Sequence, residues 1–65
     1  MNEELNNLLS KIKGRFYYME QEAKQVVEKG NKSAGARSRK ASSELSALLK
    51  QWRAESIAAE KVSKP

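Results

Sequence analysis

The first half of the chain carries one uninterrupted apolar stripe with the spacing of an α-helix. Its members are separated by alternating steps of four and three residues, and they are Leu5, Leu9, Ile12, Phe16, Met19, Ala23 and Val26. Residues at this spacing lie on one face of a helix. Asn2 is a favourable N-cap, and Gly30 is a favourable C-terminal stop. The pattern therefore predicts a helix over about residues 2–29.

The same alternation returns in the second half of the chain with smaller side chains. Its positions are Ala34, Ser38, Ala41, Leu45, Leu48, Trp52, Glu55 and Ala59. Asn31 and Ser33 are both suitable N-caps, so the helix start stays open between Asn31 and Arg37. We predict a second helix over about residues 34–60 and a frayed tail over 61–65.

The two stripes predict how the helices pack. If the chain reverses in a turn at residues 30–33, residues whose numbers add to about 60 face each other in an antiparallel pair. Small residues such as Ala34 then meet near the turn, and large ones such as Trp52 meet far from it. We therefore predict a single all-α domain over residues 1–65, an antiparallel two-helix hairpin that is tight at the turn and wide at its other end.

A lone hairpin of this length buries little surface, which favours association. Leu8, Leu49, Ile57 and Tyr17 lie beside the stripes and widen the apolar face. We predict a homodimer, most simply a four-helix bundle joined at the wide end. The residues assigned to the core or to the dimer contact are Leu5, Leu8, Leu9, Ile12, Phe16, Met19, Leu45, Leu48, Leu49 and Trp52.

The net charge of the chain is concentrated in its second half. The 65 residues include 13 Lys or Arg and 8 acidic residues, for a net charge of +5. Residues 1–30 contain as many basic as acidic residues, so residues 31–65 carry the whole excess. A basic balance of this kind favours a polyanionic partner, nucleic acid before an anionic membrane.

Composition narrows the function classes. The chain has no cysteine and no histidine, and every acidic residue is glutamate. These absences remove thiolate chemistry, histidine acid–base catalysis and most metal-ligand sets. We predict a protein without enzymatic activity, cofactor, metal or small-molecule substrate.

The sequence also predicts a cytoplasmic protein. No apolar run is long enough to cross a bilayer, and the N-terminus lacks the pattern of a signal peptide. Binding to a membrane surface needs a bulky apolar face and a basic face on one helix. Here the first helix has the apolar face and the second has the excess charge, so no membrane partner is predicted.

One segment, residues 31–43, is basic and free of acidic residues. It contains Lys32, Arg37, Arg39 and Lys40, separated by serine, alanine and glycine. Arginine pairs bidentately with phosphate, and serine hydroxyl groups can donate beside it. Composition alone supports phosphate binding and a solvated run of surface charge equally.

The sequence of this segment resembles a known family. Residues 28–42 contain Gly-Asn-Lys-Ser-Ala-Gly-Ala-Arg-Ser-Arg-Lys-Ala-Ser from Gly30 to Ser42, and a leucine-rich continuation reaches Arg53. This pattern resembles the N-terminal region of the bacterial linker-histone-like nucleoid proteins typified in chlamydiae. The resemblance implies a nucleoid-associated, DNA-compacting role with neither catalysis nor a cofactor. The positions that it singles out are Asn31, Lys32, Gly35, Arg37, Arg39, Lys40 and Ser42.

These observations lead to one predicted function, non-specific binding of double-stranded DNA through the turn and the start of the second helix. The predicted contacts are Lys29, Asn31, Lys32, Ser33, Arg37, Arg39, Lys40 and Ser42, with Lys50 and Arg53 as secondary contacts. The chlamydial proteins continue into a long Lys- and Ala-rich tail, whereas this sequence stops at Pro65, so we expect modest, salt-sensitive affinity.

Two alternatives stay open at this point. The chain could be a structural module, a helical oligomer that binds an acidic protein or serves as an accessory component of a nucleic-acid-containing assembly. RNA could also be the ligand, because the sequence contains no recognisable RNA-binding module that would distinguish RNA from DNA.

Overall fold

Two long helices and a two-residue connection make up the described part of the chain. The structure is a computed structural model that describes residues 2–63, with α1 at Glu3–Lys29 and α2 at Lys32–Ser63. The helices pack against each other as an antiparallel hairpin, and residues 2–63 contain no strand. The predicted all-α hairpin is therefore confirmed. It is a thin rod with Cα extents of 53 × 16 × 13 Å.

Both ends of α1 are capped by the predicted residues, Asn2 and Gly30. The Asn2 side-chain oxygen accepts a hydrogen bond from the Leu5 amide at 3.0 Å. At the other end, Gly30 adopts a left-handed conformation with φ of 61°, and its amide donates to the Val26 carbonyl at 2.9 Å. This conformation favours glycine, because a side chain at a positive φ crowds the backbone. Gly30 thus ends α1 and turns the chain.

Asn31 is the residue that starts α2. Its side-chain oxygen accepts a hydrogen bond from the Ala34 amide at 3.1 Å, and its main-chain carbonyl accepts from the Gly35 amide at 3.0 Å. Of the two candidate caps, Asn31 is the one used, and α2 begins two residues earlier than the predicted start at about 34. The helix continues to Ser63, and residues 64–65 of the predicted tail lie outside the described residues.

Two ion pairs between the helices define the register. Arg37 Nε lies 2.9 Å from Glu22 Oε1, and Arg15 Nη1 lies 3.5 Å from Glu44 Oε1. In both pairs the residue numbers add to 59, one less than the predicted value. Three of the four side chains are 42–48% exposed and Glu22 is 18% exposed, so solvent screens the pairs and they mark the alignment of the helices more than they stabilise the fold.

The inward face of α2 matches its predicted stripe. Ala34 and Ala41 are fully buried, and Leu45, Leu48 and Trp52 farther along are partly buried. Alanine at the first two positions lets the helix backbones approach closely near the turn. Longer side chains occupy the same face farther from the turn.

The inward face of α1 differs from the prediction. Leu8, which was expected beside the stripe, is 4% exposed, whereas Phe16 within the stripe is 49% exposed. The contact face runs through Leu5, Leu8, Ile12, Arg15, Met19 and Glu22. The face is rotated toward Arg15 and Glu22, which places Leu8 in the contact with α2 and brings the two charged side chains to Glu44 and Arg37.

Candidate nucleic-acid interface

The basic tip is defined here as the turn and the first turns of α2, where the sequence predicts phosphate contacts. All eight predicted contact residues are exposed in the structure, and they are Lys29, Asn31, Lys32, Ser33, Arg37, Arg39, Lys40 and Ser42. Their exposure follows from the burial of Ala34 and Ala41, which turns the intervening cationic positions outward.

The structure separates the four cations of the tip into two groups. Arg37 lies on one flank of the hairpin, where its guanidinium bonds the Glu22 carboxylate. Lys40 lies on the same flank and lines a groove with Arg15 and Tyr18. Lys32 and Arg39 are on the outer side of α2, and neither belongs to an ion pair between the helices. Arg37 is therefore the most neutralised of the four cations, and Lys32 and Arg39 offer more unshared charge.

Gly35 provides room for Arg39. A Cβ atom added at Gly35 would lie 3.2 Å from Arg39 Nη1 and 3.7 Å from Val26 Cγ2. The bare backbone of this buried glycine thus lets the guanidinium fold over the start of α2, while Val26 closes the other side. The Ser38 hydroxyl donates to the Gly35 carbonyl at 2.9 Å, so its hydrogen is used within the helix.

The start of α2 adds a second source of positive potential. The first N–H groups of a helix have no intrahelical acceptor, and the helix dipole is positive at this end. Asn31 satisfies the amide of Ala34, which leaves the amides of Lys32 and Ser33 next to the cations of the tip. No acidic residue occupies the first turn of α2. An anionic ligand is favoured at this end.

The two flanks of the hairpin differ in chemistry. One flank, the ion-pair flank, contains the Arg15–Glu44 and Arg37–Glu22 pairs, and the Arg15 guanidinium lies 5.8 Å from the Tyr18 ring centre. An open groove of about 610 Å³ runs along it, where Gly14 and Ala47 leave space between the helices. The apolar stripes do not predict this flank, because Arg15, Glu22 and Glu44 belong to neither of them.

The other flank is apolar. The line of contact between α1 and α2 is called the seam. Leu9 and Phe16 of α1 lie on the side of the seam away from Arg15, and Leu49 of α2 lies on the side away from Glu44. All three side chains are exposed, between 39% and 49%. The apolar flank, defined by these three residues, is therefore only partly covered by the described hairpin.

The described residues contain no group of three or more acidic side chains arranged to hold a metal ion. Neither helix, over the part of the chain that is described, has a stretch apolar enough to span a bilayer.

The fold and the tip define a small basic protein of the helical-hairpin class. Over residues 6–62 the chain matches the model of the family described as Histone H1-like protein Hc1, and it belongs to that family. The family consists of DNA-binding architectural proteins and is not a family of enzymes. The suspected resemblance to chlamydial histone-like proteins is thus confirmed. No curated protein and no solved structure matches the chain significantly.

Proposed function

We propose that this protein binds double-stranded DNA without sequence preference and organises it within the bacterial nucleoid. The basic tip is the contact surface, with Arg39, Lys32 and Lys40 on phosphate groups and Arg37 joining them when its bond to Glu22 opens. The observation that carries the proposal is the exposed, acid-free start of α2 in a chain of this family. Phosphate contacts position a protein on duplex DNA and carry no sequence information.

The strongest test of this function is the salt dependence of binding. Labelled duplex DNA of mixed sequence is titrated with the full chain, and fluorescence anisotropy is followed between roughly 50 and 200 mM salt. Contacts through the two tips alone, about six to eight phosphates for two protomers, give a slope of about −5 to −7 on logarithmic axes, so affinity falls by about 10³ to 10⁴ or more across the series. Absence of binding at the lowest salt would contradict the proposal.

A second function, oligomerisation through the apolar flank, has its own support. Leu9, Phe16 and Leu49 form an exposed apolar surface on a hairpin that fully buries few side chains. Association of two such flanks would bury these residues in a four-helix arrangement and place charged side chains at its rim. The homodimer would present two basic tips, which allows one assembly to contact DNA at two places.

The homodimer is tested by replacing Phe16 with glutamate. A carboxylate in the centre of an apolar contact is costly to desolvate, so F16E is expected to sediment as a monomer of 7.3 kDa at concentrations where the wild-type chain sediments as a dimer. Y17E is the matched control, because Tyr17 is the adjacent residue and is 63% exposed on the outer side of α1. A monomeric wild-type chain, or equal effects of F16E and Y17E, would contradict this interface.

A further inference from the structure

A line of cations continues from the basic tip along the outer side of α2. At about 100° per residue, Lys32, Arg39, Lys50 and Arg53 lie within about 60° of one another around the helix axis. All four are exposed, and their positions on the helix lie on the side away from α1, with the Arg39 guanidinium folded back over Gly35. These four residues are called the outer ridge.

The acidic residues of α2 along this length lie elsewhere. Glu44 is paired with Arg15 on the ion-pair flank, and Glu55 accepts a hydrogen bond from Gln51 Nε2 at 2.6 Å. Both carboxylates are more than about 100° from the outer ridge around the axis. Between Lys32 and Arg53, the described chain places no carboxylate on the ridge. The positive potential of the tip therefore extends along the rod.

The ridge consists of two cation pairs separated by a gap. Arg39 and Lys50 are about 16 Å apart along the helix axis, at a rise of about 1.5 Å per residue. The exposed residues of the gap on this side are the serines Ser42, Ser43 and Ser46. The major groove of B-form DNA is about 12 Å wide. The gap is thus long enough to cross the groove, and long cationic side chains at either end reach its two rims.

We infer that the outer ridge straddles one major groove of duplex DNA, with Lys32 and Arg39 on the phosphates of one rim and Lys50 and Arg53 on those of the other. This inference rests on the proposed function and extends its contact surface beyond the tip. The serines lie over the groove opening, where their short side chains leave the base edges unread. In this arrangement α2 crosses the groove and contacts phosphates on both sides. Because phosphates are the same in every sequence, such contacts carry no sequence preference.

The double variant Lys50→Ala with Arg53→Ala tests this inference in the full chain. Each lost phosphate contact lowers affinity by about tenfold near 0.1 M salt, so the variant is expected to bind duplex DNA at least about 100-fold more weakly than wild type, the loss for one contacting protomer. Its salt slope is expected to be shallower by about 2 per protomer. Both residues are exposed and alanine favours helix, so circular dichroism should show unchanged helix content.

The matched control is Lys11→Ala with Lys13→Ala. By the register of the ion pairs these exposed α1 residues lie about 7 Å closer to the turn than Lys50 and Arg53, and their replacement removes the same charge. The control is expected to bind within about threefold of wild type, because screening limits the reach of surface charges. Equal losses in the two double variants would overturn the outer ridge while leaving DNA binding intact. A wild-type chain that fails to bind duplex DNA would instead overturn the proposed function itself.

Discussion

The double charge reversal Arg39→Glu with Lys40→Glu is expected to weaken binding of duplex DNA by more than about 100-fold near 0.1 M salt. Two phosphate contacts per protomer are lost, and the new carboxylates repel the backbone that the cations attracted. Arg39 is held over Gly35 at the start of α2, and Lys40 is exposed beside it. Because neither residue is buried, the variant should fold, and anisotropy titration against wild type measures the loss directly.

The reversal Lys11→Glu with Lys13→Glu provides the comparison for this result. It changes the net charge by the same amount at a place about 25 Å from the turn, as judged from the helical rise. If the two reversals weaken binding equally, affinity depends on net charge alone and the tip is not a site. A loss confined to the Arg39 and Lys40 variant identifies the tip as the contact surface.

Replacing Ala41 with aspartate is expected to abolish the folded hairpin at 25 °C. Ala41 is 1% exposed, so the carboxylate would be buried between the helices. An uncompensated buried charge costs about 3–5 kcal/mol. A folded chain of this size is stable by about 3–10 kcal/mol, and a hairpin that buries so few apolar side chains lies at the low end of that range. Thermal unfolding followed by circular dichroism is expected to lose its cooperative transition, and the helix content at 25 °C should fall.

Ala36→Asp separates burial from the effect of the new residue type. Ala36 lies on α2 five residues earlier and is exposed, so the substitution costs about 0.7 kcal/mol or less through helix propensity. A melting temperature of Ala41→Asp close to that of Ala36→Asp would mean that the helices are not closely packed at Ala41.

The hairpin and its helix ends were predictable because each has a local signal. Gly30 interrupts two periodic segments, and Asn2 and Asn31 are cap residues whose bonds stay within one helical turn. The α2 seam was equally readable, since its smallest residues coincide with the point where the chain turns back. In such cases, propensity, spacing and turn chemistry all favour the same structure.

The sequence of α1 alone does not predict which of its faces packs against α2. Two stripes overlap in its sequence, and both contain Leu5, Ile12 and Met19. Hydrophobicity favours the stripe through Phe16, whereas the structure uses the one through Arg15. In the folded hairpin Arg15 lies beside Glu44, which belongs to the other helix, so this pairing is not visible in the pattern of α1 alone.

The position of the candidate site was predictable from the sequence, but the difference between its two arginines was not. A charge pattern along the chain located the basic tip, and all of its predicted contacts are exposed. The pattern did not distinguish Arg37 from Arg39, because the partner of Arg37 is Glu22, 15 residues away on the facing helix. The space that Gly35 leaves for Arg39 likewise lies next to Val26 of the facing helix, so no sequence motif predicts it.

The thinness of the rod leaves most of its sequence free to diverge. In a two-helix rod 13 to 16 Å across, only the residues along one seam are enclosed, and each helix contributes about two of them per seven residues. Leu8, Ala34 and Ala41 are the fully buried apolar residues of the described chain. Substitutions at other positions can change charge and contour at little cost to folding. Proteins built on this hairpin can thus adapt their outer surfaces to different ligands while the seam preserves the fold.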